Sequence, residues 1–432
     1  MSYTEIDAKK RDELDPFPCR MDWFDMPVDR EGKQAIYLNG NSLGPKPKAM
    51  NETLMKACDA WGRMGVRGHL ASRDPWVSRH ETVAESLARL TGARPDEVVA
   101  MGTLTANIHF LFVSFYHPTP SRYKIIRLAG FPSDTYAIAS QVKQRLETVQ
   151  ALAHKAPFSL DDAIIEIKPD ASGYIDIETF KSVLDEQGES TAILWIEGIH
   201  YLTGQYFNMA EIARLAHEKG CLFGVDLAHA IGNVPLSLHD WNVDFAAWCS
   251  YKYLSVGPGG IAGLYVHENH LNDPARLRFA GWWGHNKKTR FQMGDVFDPI
   301  PTAESWLVSN SPIFLLAALR QSLDLFDQVD LQQLREKNKR LVAYLETLLK
   351  EALGQAVDII TPNNPDERGC QLSLRFKFLH ENSDAENLFF EQGIICDVRK
   401  DLVRVAPMGL YTRFIDVFNF VEKLKLIFKD EI

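Results

Sequence analysis

Lys252 and Asp226 are the two residues whose types and spacing most directly indicate chemistry. Lys252 lies between the apolar run 245–249 and the glycine-rich turn 257–260. A lysine there is poorly solvated, which favours the neutral amine that forms a Schiff base with an aldehyde. Asp226 follows the short apolar run 221–225, and a carboxylate can hold a pyridine nitrogen protonated. The pair predicts a pyridoxal phosphate site; the alternative is an exposed lysine and an aspartate that caps a helix.

Two further segments contain residue types that such a cofactor needs. Leu104 and Thr105 stand at the start of a predicted helix, where free backbone N–H groups and a hydroxyl attract a phosphate. Phe131, in the segment Phe-Pro-Ser-Asp, could stack on a pyridine ring with Asp134 near the ring edge. Taken alone, the first segment is better explained as an ordinary threonine N-cap, and the second as an ordinary turn.

Composition and charge narrow the class of protein. The chain has 432 residues, 46% hydrophobic and 24% charged, with a net charge of −10, as expected for a globular protein of two or three domains. No run of Lys and Arg is long enough to follow a phosphate backbone, so we expect no nucleic-acid partner. The six cysteines lack metal-ligand spacing and indicate free thiols in a reducing compartment, with no metal. Neither a signal sequence nor a membrane span is apparent, so we expect a cytoplasmic protein.

Apolar periodicity predicts an α/β fold with a mostly parallel sheet. Strand-like runs at 123–127, 192–196, 221–225, 245–248 and 261–266 alternate with helical stretches such as 80–90, 105–115 and 209–219. Residues 1–50 contain five prolines and are predicted to form an extended arm. We expect a large domain over 51–312.

Residues 313–432 are expected to form a smaller α+β domain. A long amphipathic helix is predicted over 331–353, and Gly354 ends it. Strand-like runs follow at 372–376, 393–397 and 402–406, with a closing helix over 414–428.

Motifs along nearly the whole chain carry a resemblance to a known family. They stand, in order, at 41–44 (NSLG), 68–69 and 75–76 (GH and PW), 104–107 (LTAN), 131–134 (FPSD), 201–205 (YLTGQ), 226–230 (DLAHA), 248–253 (WCSYKY), 281–285 (GWWGH), 309–312 (SNSP) and 404–407 (RVAP). Each motif alone is weak. Together, in this order, they resemble the kynureninase family of class V, fold type I, pyridoxal phosphate enzymes.

The resemblance implies a role for each matching position. Lys252 is similar to the Schiff-base lysine, Asp226 to the partner of the pyridine nitrogen, and Tyr251 to a phosphate ligand that also moves a proton. The other implied cofactor ligands are Leu104, Thr105, Phe131, Pro132, Ser133, Asp134, His229, Trp282 and Asn310, the last two across a dimer interface. The implied substrate ligands are Arg404 for the α-carboxylate, and Ser42, His69 and Asn310 near the aromatic end.

The resemblance also implies a reaction. Members of the family hydrolyse the Cβ–Cγ bond of L-kynurenine or its 3-hydroxy form, releasing anthranilate or 3-hydroxyanthranilate and L-alanine, in tryptophan catabolism and the kynurenine route to NAD. A homodimer is implied as well. Lys252 would act as general base at Cα, and Tyr251 as proton donor to Cβ.

Two departures and two rival functions stay open. Glu197 replaces a small hydroxyl residue of some relatives, and as an acid it would repel phosphate; Trp283 replaces a smaller aromatic residue. One rival is another class V enzyme, either an aminotransferase or a cysteine desulfurase with Cys370 as its reactive thiol. The other is a catalytically inactive scaffold, against which the joint presence of Lys252, Asp226 and Arg404 argues.

Overall fold

The computed structural model describes residues 3–71, 73–153, 159–379, 384–399 and 401–429. Within these residues the α-helices are α1 (Glu5–Leu14), α2 (Met50–Met64), α3 (Ala84–Thr91), α4 (Leu104–Phe115), α5 (Pro132–Ala153), α6 (Leu160–Ala163), α7 (Ile177–Gln187), α8 (Met209–Glu218), α9 (Ile313–Phe326), α10 (Leu331–Leu353), α11 (Ala385–Glu391) and α12 (Phe414–Ile427). The strands are β1 (Phe24–Asp25), β2 (Ile36–Tyr37), β3 (Lys46–Pro47), β4 (Val98–Ala100), β5 (Lys124–Leu128), β6 (Ile164–Ile167), β7 (Thr191–Glu197), β8 (Leu222–Asp226), β9 (Phe245–Trp248), β10 (Gly263–Val266), β11 (Val357–Ile359), β12 (Leu372–Phe376), β13 (Ile394–Ile395), β14 (Asp397–Arg399) and β15 (Leu402–Val405).

A seven-stranded sheet forms the centre of the larger part of the chain. Its strand order is β4-β10-β9-β8-β7-β5-β6. The pairs from β9 to β6 are parallel, and only β10 runs antiparallel to both of its neighbours. Its central strands β7 and β9 are buried along their whole length, and they are apolar except for Thr191 and Glu197 at the two ends of β7, as a sheet covered on both faces requires. The predicted mostly parallel sheet is confirmed.

The strand directions bring five loops to one edge of this sheet. Because β4 is antiparallel to β10, and β10 to β9, strand β4 runs in the same direction as the parallel strands. The loops that follow β4, β5, β7, β8 and β9 therefore leave from a common carboxyl edge. Ligands of parallel α/β sheets bind at such an edge.

A smaller antiparallel sheet has the order β11-β12-β15-β14. Its apolar face packs against α10 and α12, with Leu341, Leu345, Leu374 and Phe420 buried between them. Helix α10 has the predicted bounds and begins at an aspartate N-cap, Asp330. In the pairing of β14 with β15, Asp397 lies opposite Arg404.

The N-terminal segment differs from the predicted extended arm. Residues 5–14 form α1, which begins at a capping box in which Thr4 and Asp7 exchange hydrogen bonds. Strand β2 pairs with β13, and Ile36 and Leu38 are buried in the core of the smaller sheet. The boundaries at residues 50 and 312 remain predictions. Among the described helices, none has the length and apolarity needed to cross a membrane.

Candidate active site

Lys252 lies in the loop after β9, at the carboxyl edge of the large sheet. Its Nζ is 2.9 Å from His229 Nε2 in the loop after β8. The 41–44 segment fixes this loop, since the Gly44 N–H donates to the Tyr251 carbonyl over 2.8 Å. A Cβ on Gly44 would overlap the Lys252 carbonyl. Glycine is therefore required where the arm packs against the lysine loop.

Asp226 ends β8 and is 4% exposed. One of its oxygens accepts the Ala228 N–H over 2.7 Å. Burial and the nearby Glu197 carboxylate raise the pKa of Asp226 to about 7, although the Lys252 charge opposes this. Burial and the Lys252 charge lower the pKa of His229 well below its usual range, so its imidazole is neutral. The amine therefore faces a neutral ring and an acid that gains or loses its proton near neutral pH.

Asp134 adds a second buried acid behind Asp226. Its Oδ2 accepts the indole N–H of Trp195 over 2.8 Å, and its Oδ1 has no hydrogen-bond partner among the described residues. Burial and the charge of Asp226 raise its pKa well above the usual range. The two acids together make the floor of the site attractive to a cationic group.

Two helix N-termini meet beside the lysine loop. Helix α4 begins at Leu104, and its N-cap Thr103 makes no side-chain capping bond. Helix α5 begins at Pro132, a residue suited to the first helical position. The hydroxyls of Thr105 and Ser133, one from each helix, are 2.7 Å apart. Uncapped N–H groups, two helix dipoles and two hydroxyls together suit a phosphate.

Two aromatic residues complete this half of the site. The Phe131 ring is 43% exposed and meets the Tyr201 ring edge to face, with centroids 5.3 Å apart. Lys252 Nζ lies 5.9 Å from the centroid of Phe131. Burial raises the pKa of the Tyr251 hydroxyl, so this phenol keeps its proton at neutral pH.

Arg404 comes from the smaller sheet and forms the opposite wall. Its guanidinium is buried, with 3% of its side chain exposed, and donates to the Tyr201 carbonyl over 2.7 Å. It also pairs with the Asp397 carboxylate, its cross-strand neighbour, which accepts the Ser42 hydroxyl as well. Arg399 contacts the other oxygen of Asp397, at 2.9 Å. Two guanidinium groups and one carboxylate leave a net positive charge for an anion.

Most of these groups, though not Asp134 or Asp397, line one cavity of about 260 Å³. The predicted site residues that line it are Ser42, Leu104, Thr105, Phe131, Ser133, Asp226, His229, Tyr251, Lys252 and Arg404. An amine, a buried acid with a raised pKa, an exposed aromatic face and an anion site at helix N-termini are the four groups that pyridoxal phosphate needs. The residues present therefore fit this cofactor.

The structure does not bring every predicted residue to the cavity wall. Pro132 opens α5, and Asp134 lies behind the floor. Trp282 is 42% exposed and donates its indole N–H to the Arg290 carbonyl. The remaining two are apart from the cavity: Asn310 is exposed, and His69 packs against Trp76. Trp283, a departure from the family pattern rather than a predicted ligand, is buried in a core that includes residues of α4.

The sequence alone did not reveal four polar residues at the cavity. Glu197 is a departure from the family pattern, and Asn41 and Tyr201 lie in family motifs that imply no role for them. Arg399 was missed, as was Asp397 beside it. The alternation of 397–399 and 402–405 in a short hairpin is the signal that would have placed Asp397 opposite Arg404.

Comparisons with known proteins agree with this geometry. Residues 135–398 match the family model described as "Aminotransferase class-V". A kynureninase of Myxococcus xanthus is 45% identical over 98% of this chain and 97% of its own, and one of Salinispora tropica is 43% identical over 96% of each.

Solved structures show the same fold at low sequence identity. The apo cysteine desulfurase of Thermococcus onnurineus has a TM-score of 0.71 at 16% identity, over 92% of this chain and 95% of its own. A C-DES mutant with glycine covalently linked to the PLP cofactor has a TM-score of 0.71 at 16% identity, over 90% and 96%. This is the fold type I architecture that the motifs implied. With a class V match over more than half of its length and two relatives above 40% identity, the chain belongs to the kynureninase family of class V enzymes.

Proposed function

We propose that this protein hydrolyses the Cβ–Cγ bond of L-kynurenine, or of its 3-hydroxy form, with pyridoxal phosphate as cofactor. The products are anthranilate, or 3-hydroxyanthranilate, and L-alanine. One observation carries the proposal: in a chain 45% identical to a kynureninase, Lys252, Asp226 and Arg404 line a single cavity. Their chemistry is that of an amine, an acid and an anion clamp around one amino acid substrate.

The residues at the carboxyl edge of the large sheet and Arg404 on the opposite wall have different roles. When bound, the cofactor supplies an electron sink for the Cα and Cβ carbanions. Asp226 holds a proton at the pyridine nitrogen, and Asp134 supports it. Arg404 binds the α-carboxylate and so orients the Cα–H bond. Lys252 removes the Cα proton, aided by the neutral His229 imidazole at 2.9 Å, which accepts rather than repels.

The outer residues act on Cβ and Cγ. The Tyr251 phenol, which burial keeps protonated, is the donor to Cβ. Thr105 and Ser133 bind the phosphate, and the Phe131 ring packs on the pyridine face. Ser42, which lines the cavity, is assigned to the aromatic end of the substrate. His69 lies apart from the cavity of its own chain and is assigned to the same end of a partner subunit's site. Water attacks the γ-carbonyl carbon, and the tetrahedral adduct breaks at Cβ–Cγ.

A cysteine desulfurase activity is not favoured. Such an enzyme needs a reactive thiolate that reaches the substrate. Cys370 has no exposed surface, and burial raises its pKa to about 12, so its thiol stays protonated. Transamination remains the second candidate among class V activities, and it differs by consuming a keto acid.

We also propose a cytoplasmic homodimer that acts in tryptophan catabolism by the kynurenine route. Trp282 and Asn310 lie at the surface and outside the cavity of their own chain, which supports a role for them at a partner's site. The exposed apolar side chains of Met293 and Val296 beside Trp282 support the same contact.

The test is turnover of L-kynurenine followed by anthranilate fluorescence. Wild-type protein with pyridoxal phosphate should release anthranilate and L-alanine in equal amounts without a keto acid. Lys252→Ala should lose activity by at least about a thousandfold, because no other group removes the Cα proton. Absence of product from wild type, or equal product from the variant, contradicts the proposal; strict dependence on a keto acid favours the aminotransferase.

A further inference from the structure

A buried carboxylate joins the two halves of the cavity. Glu197 ends β7, in register with Asp226 on β8, and is 5% exposed. Its Oε1 accepts the backbone N–H of Phe131, and its Oε2 accepts that of Tyr201 over 2.6 Å. These two amides belong to different loops, one after β5 and one after β7. Both oxygens of the carboxylate are thus engaged by the backbone.

The space around this carboxylate is closed on the side of the β5 loop. A Cβ on Gly130 would overlap Glu197 Oε1. The residue before Phe131 therefore has to be small for the Phe131 N–H to reach the carboxylate. The sequence feature that first marked Glu197, an acid near a phosphate site, thus has a different structural meaning: its charge is satisfied by two N–H donors.

The amides that Glu197 holds belong to residues with direct contacts in the site. The Phe131 ring is the proposed pyridine-stacking face, and it meets the Tyr201 ring at 5.3 Å. The Tyr201 carbonyl accepts from Arg404 over 2.7 Å, and the Arg404 guanidinium also lies 5.9 Å from the Tyr201 ring centroid. A shift of Tyr201 therefore moves the Arg404 guanidinium, the group proposed to bind the substrate α-carboxylate.

We infer that Glu197 is a positioning residue that sets the distance between the cofactor-stacking ring of Phe131 and the substrate-carboxylate clamp Arg404. It lines the cavity, but both of its oxygens are engaged by backbone N–H groups. Its carboxylate fixes the Phe131 and Tyr201 amides to the end of one central strand, and the Tyr201 carbonyl transmits that position to Arg404. For its kinetic consequences, this inference rests on the proposed function.

The chain offers a matched control at the other end of the large sheet. Glu97 is also a buried carboxylate that accepts two loop amides, from Arg94 over 2.8 Å and from Glu268 over 2.7 Å. It precedes β4, whereas the cavity lies beyond the opposite end of that strand. Glu97→Gln therefore removes the same type of bond without touching the site.

The experiment compares Glu197→Gln with Glu97→Gln in full-length protein. In Glu197→Gln the amide NH₂ faces one backbone N–H, so one loop loses its acceptor. We expect KM for L-kynurenine to rise about tenfold with a smaller change in kcat, the size of one lost charge-assisted hydrogen bond. Glu97→Gln should lower the unfolding temperature and leave KM unchanged. Equal KM for wild type and Glu197→Gln overturns the inference.

Two further measurements separate positioning from general stability and from the proposed function. Hydrogen exchange of cofactor-free protein should speed up in Glu197→Gln at whichever of Phe131 and Tyr201 faces the new NH₂ group, and in Glu97→Gln at whichever of Arg94 and Glu268 does so. Because hydrogen exchange needs no turnover, this measurement still tests the inference if the wild-type protein proves inactive on L-kynurenine. Unchanged exchange at both Phe131 and Tyr201 overturns it.

A second variant guards against a Glu197 variant that fails to fold. Gly130→Ala keeps the carboxylate but pushes a methyl group against Oε1. We expect the same rise in KM and faster exchange at Phe131. A folded Gly130→Ala protein with wild-type KM and wild-type exchange contradicts the positioning role.

Discussion

A buried glutamate that accepts two loop amides lies at each edge of the large sheet, the amino edge and the carboxyl edge. The charges around the two glutamates are opposite in sign. At the amino edge, Glu97 binds two loop amides and also pairs with His239 at 2.9 Å. At the carboxyl edge, Glu197 binds two loop amides but lies near two further carboxylates, Asp226 and Asp134.

The compensating charge differs between the edges. Asp244, which immediately precedes β9 at the amino edge, accepts from His217 over 2.8 Å and from His270 over 2.6 Å. At the carboxyl edge, Lys252 faces the acids, while Arg404 is already paired with Asp397. The amino edge is therefore arranged for stability. The carboxyl edge keeps protons on its buried acids and favours a cationic guest, at a cost in stability.

The largest expected effect on kcat comes from removing the buried carboxylate of Asp226. Asp226→Asn should lower kcat by about 10²–10⁴-fold at saturating cofactor, because an amide cannot hold a pyridine nitrogen protonated. Steady-state kinetics with L-kynurenine measure this. A loss below about threefold would show that Asp226 does not perform this role, and Asp226→Glu serves as the charge-retaining control.

The same substitution changes the pH dependence of stability of the cofactor-free protein. Since folding raises the pKa of Asp226 from 3.8 to about 7, the folded state binds the extra proton between these values. The free energy of unfolding should therefore fall as pH rises through this window. In Asp226→Asn that fall should be smaller, with the remainder due to Asp134, whose pKa burial also raises, as urea unfolding at pH 5 and pH 8 would reveal.

Most of the carboxyl edge follows from the sequence because its signals are local. Apolar runs that end at Asp226 and before Lys252 predict strand ends, and parallel strands bring these ends together. The amide contacts of Glu197 depend on how two loops fold back, which no local pattern encodes. Trp282 and Asn310 lie at the surface and outside the cavity, and the role proposed for them needs a second chain, so neither this sequence nor its own fold assigns them to a cavity.

In the N-terminal arm, by contrast, a local sequence signal was present but the prediction was wrong for residues 5–14. Its prolines predicted an extended segment, yet residues 5–14 form α1. The capping signal, threonine followed three residues later by aspartate, was present in the sequence. The helix buries only Ala8 and has little amphipathic character, so periodicity did not reveal it.

A smaller effect is expected at the wall of the cavity. Arg404→Lys should raise KM for L-kynurenine by about 10–100-fold and change kcat less. A lysine is a single point charge, so it cannot reach the Tyr201 carbonyl, Asp397 and a substrate carboxylate together. Arg375→Lys is the control, since Arg375 lies on the same sheet in a partly exposed ion pair with Asp401. An equal KM in both variants would remove Arg404 from the carboxylate site.

The smallest effect on activity is expected at the amino edge, where Asp244→Asn tests whether that edge serves stability alone. Burial by itself would raise the pKa of Asp244, but hydrogen bonds from His217, His270 and the Phe223 amide outweigh it and lower the pKa. The bond to Asp244 raises the pKa of His217 despite partial burial. The charged pair therefore exists above the lowered pKa of the aspartate and below the raised pKa of the histidine.

The pH dependence of Asp244→Asn follows from these two shifts. The stabilisation by His217 is complete below 6.5, its ordinary pKa, and is lost as pH rises through the raised value. Loss of the carboxylate should cost about 1–3 kcal/mol of unfolding free energy at pH 5.5, and less at a pH above the raised pKa of His217, where that histidine is neutral. Urea unfolding at both pH values measures the difference, with kcat and KM unchanged throughout. A changed KM would mean that the two edges are coupled, and an equal loss at both pH values would mean that the amide bond to Phe223, rather than the charged pair, stabilises this edge.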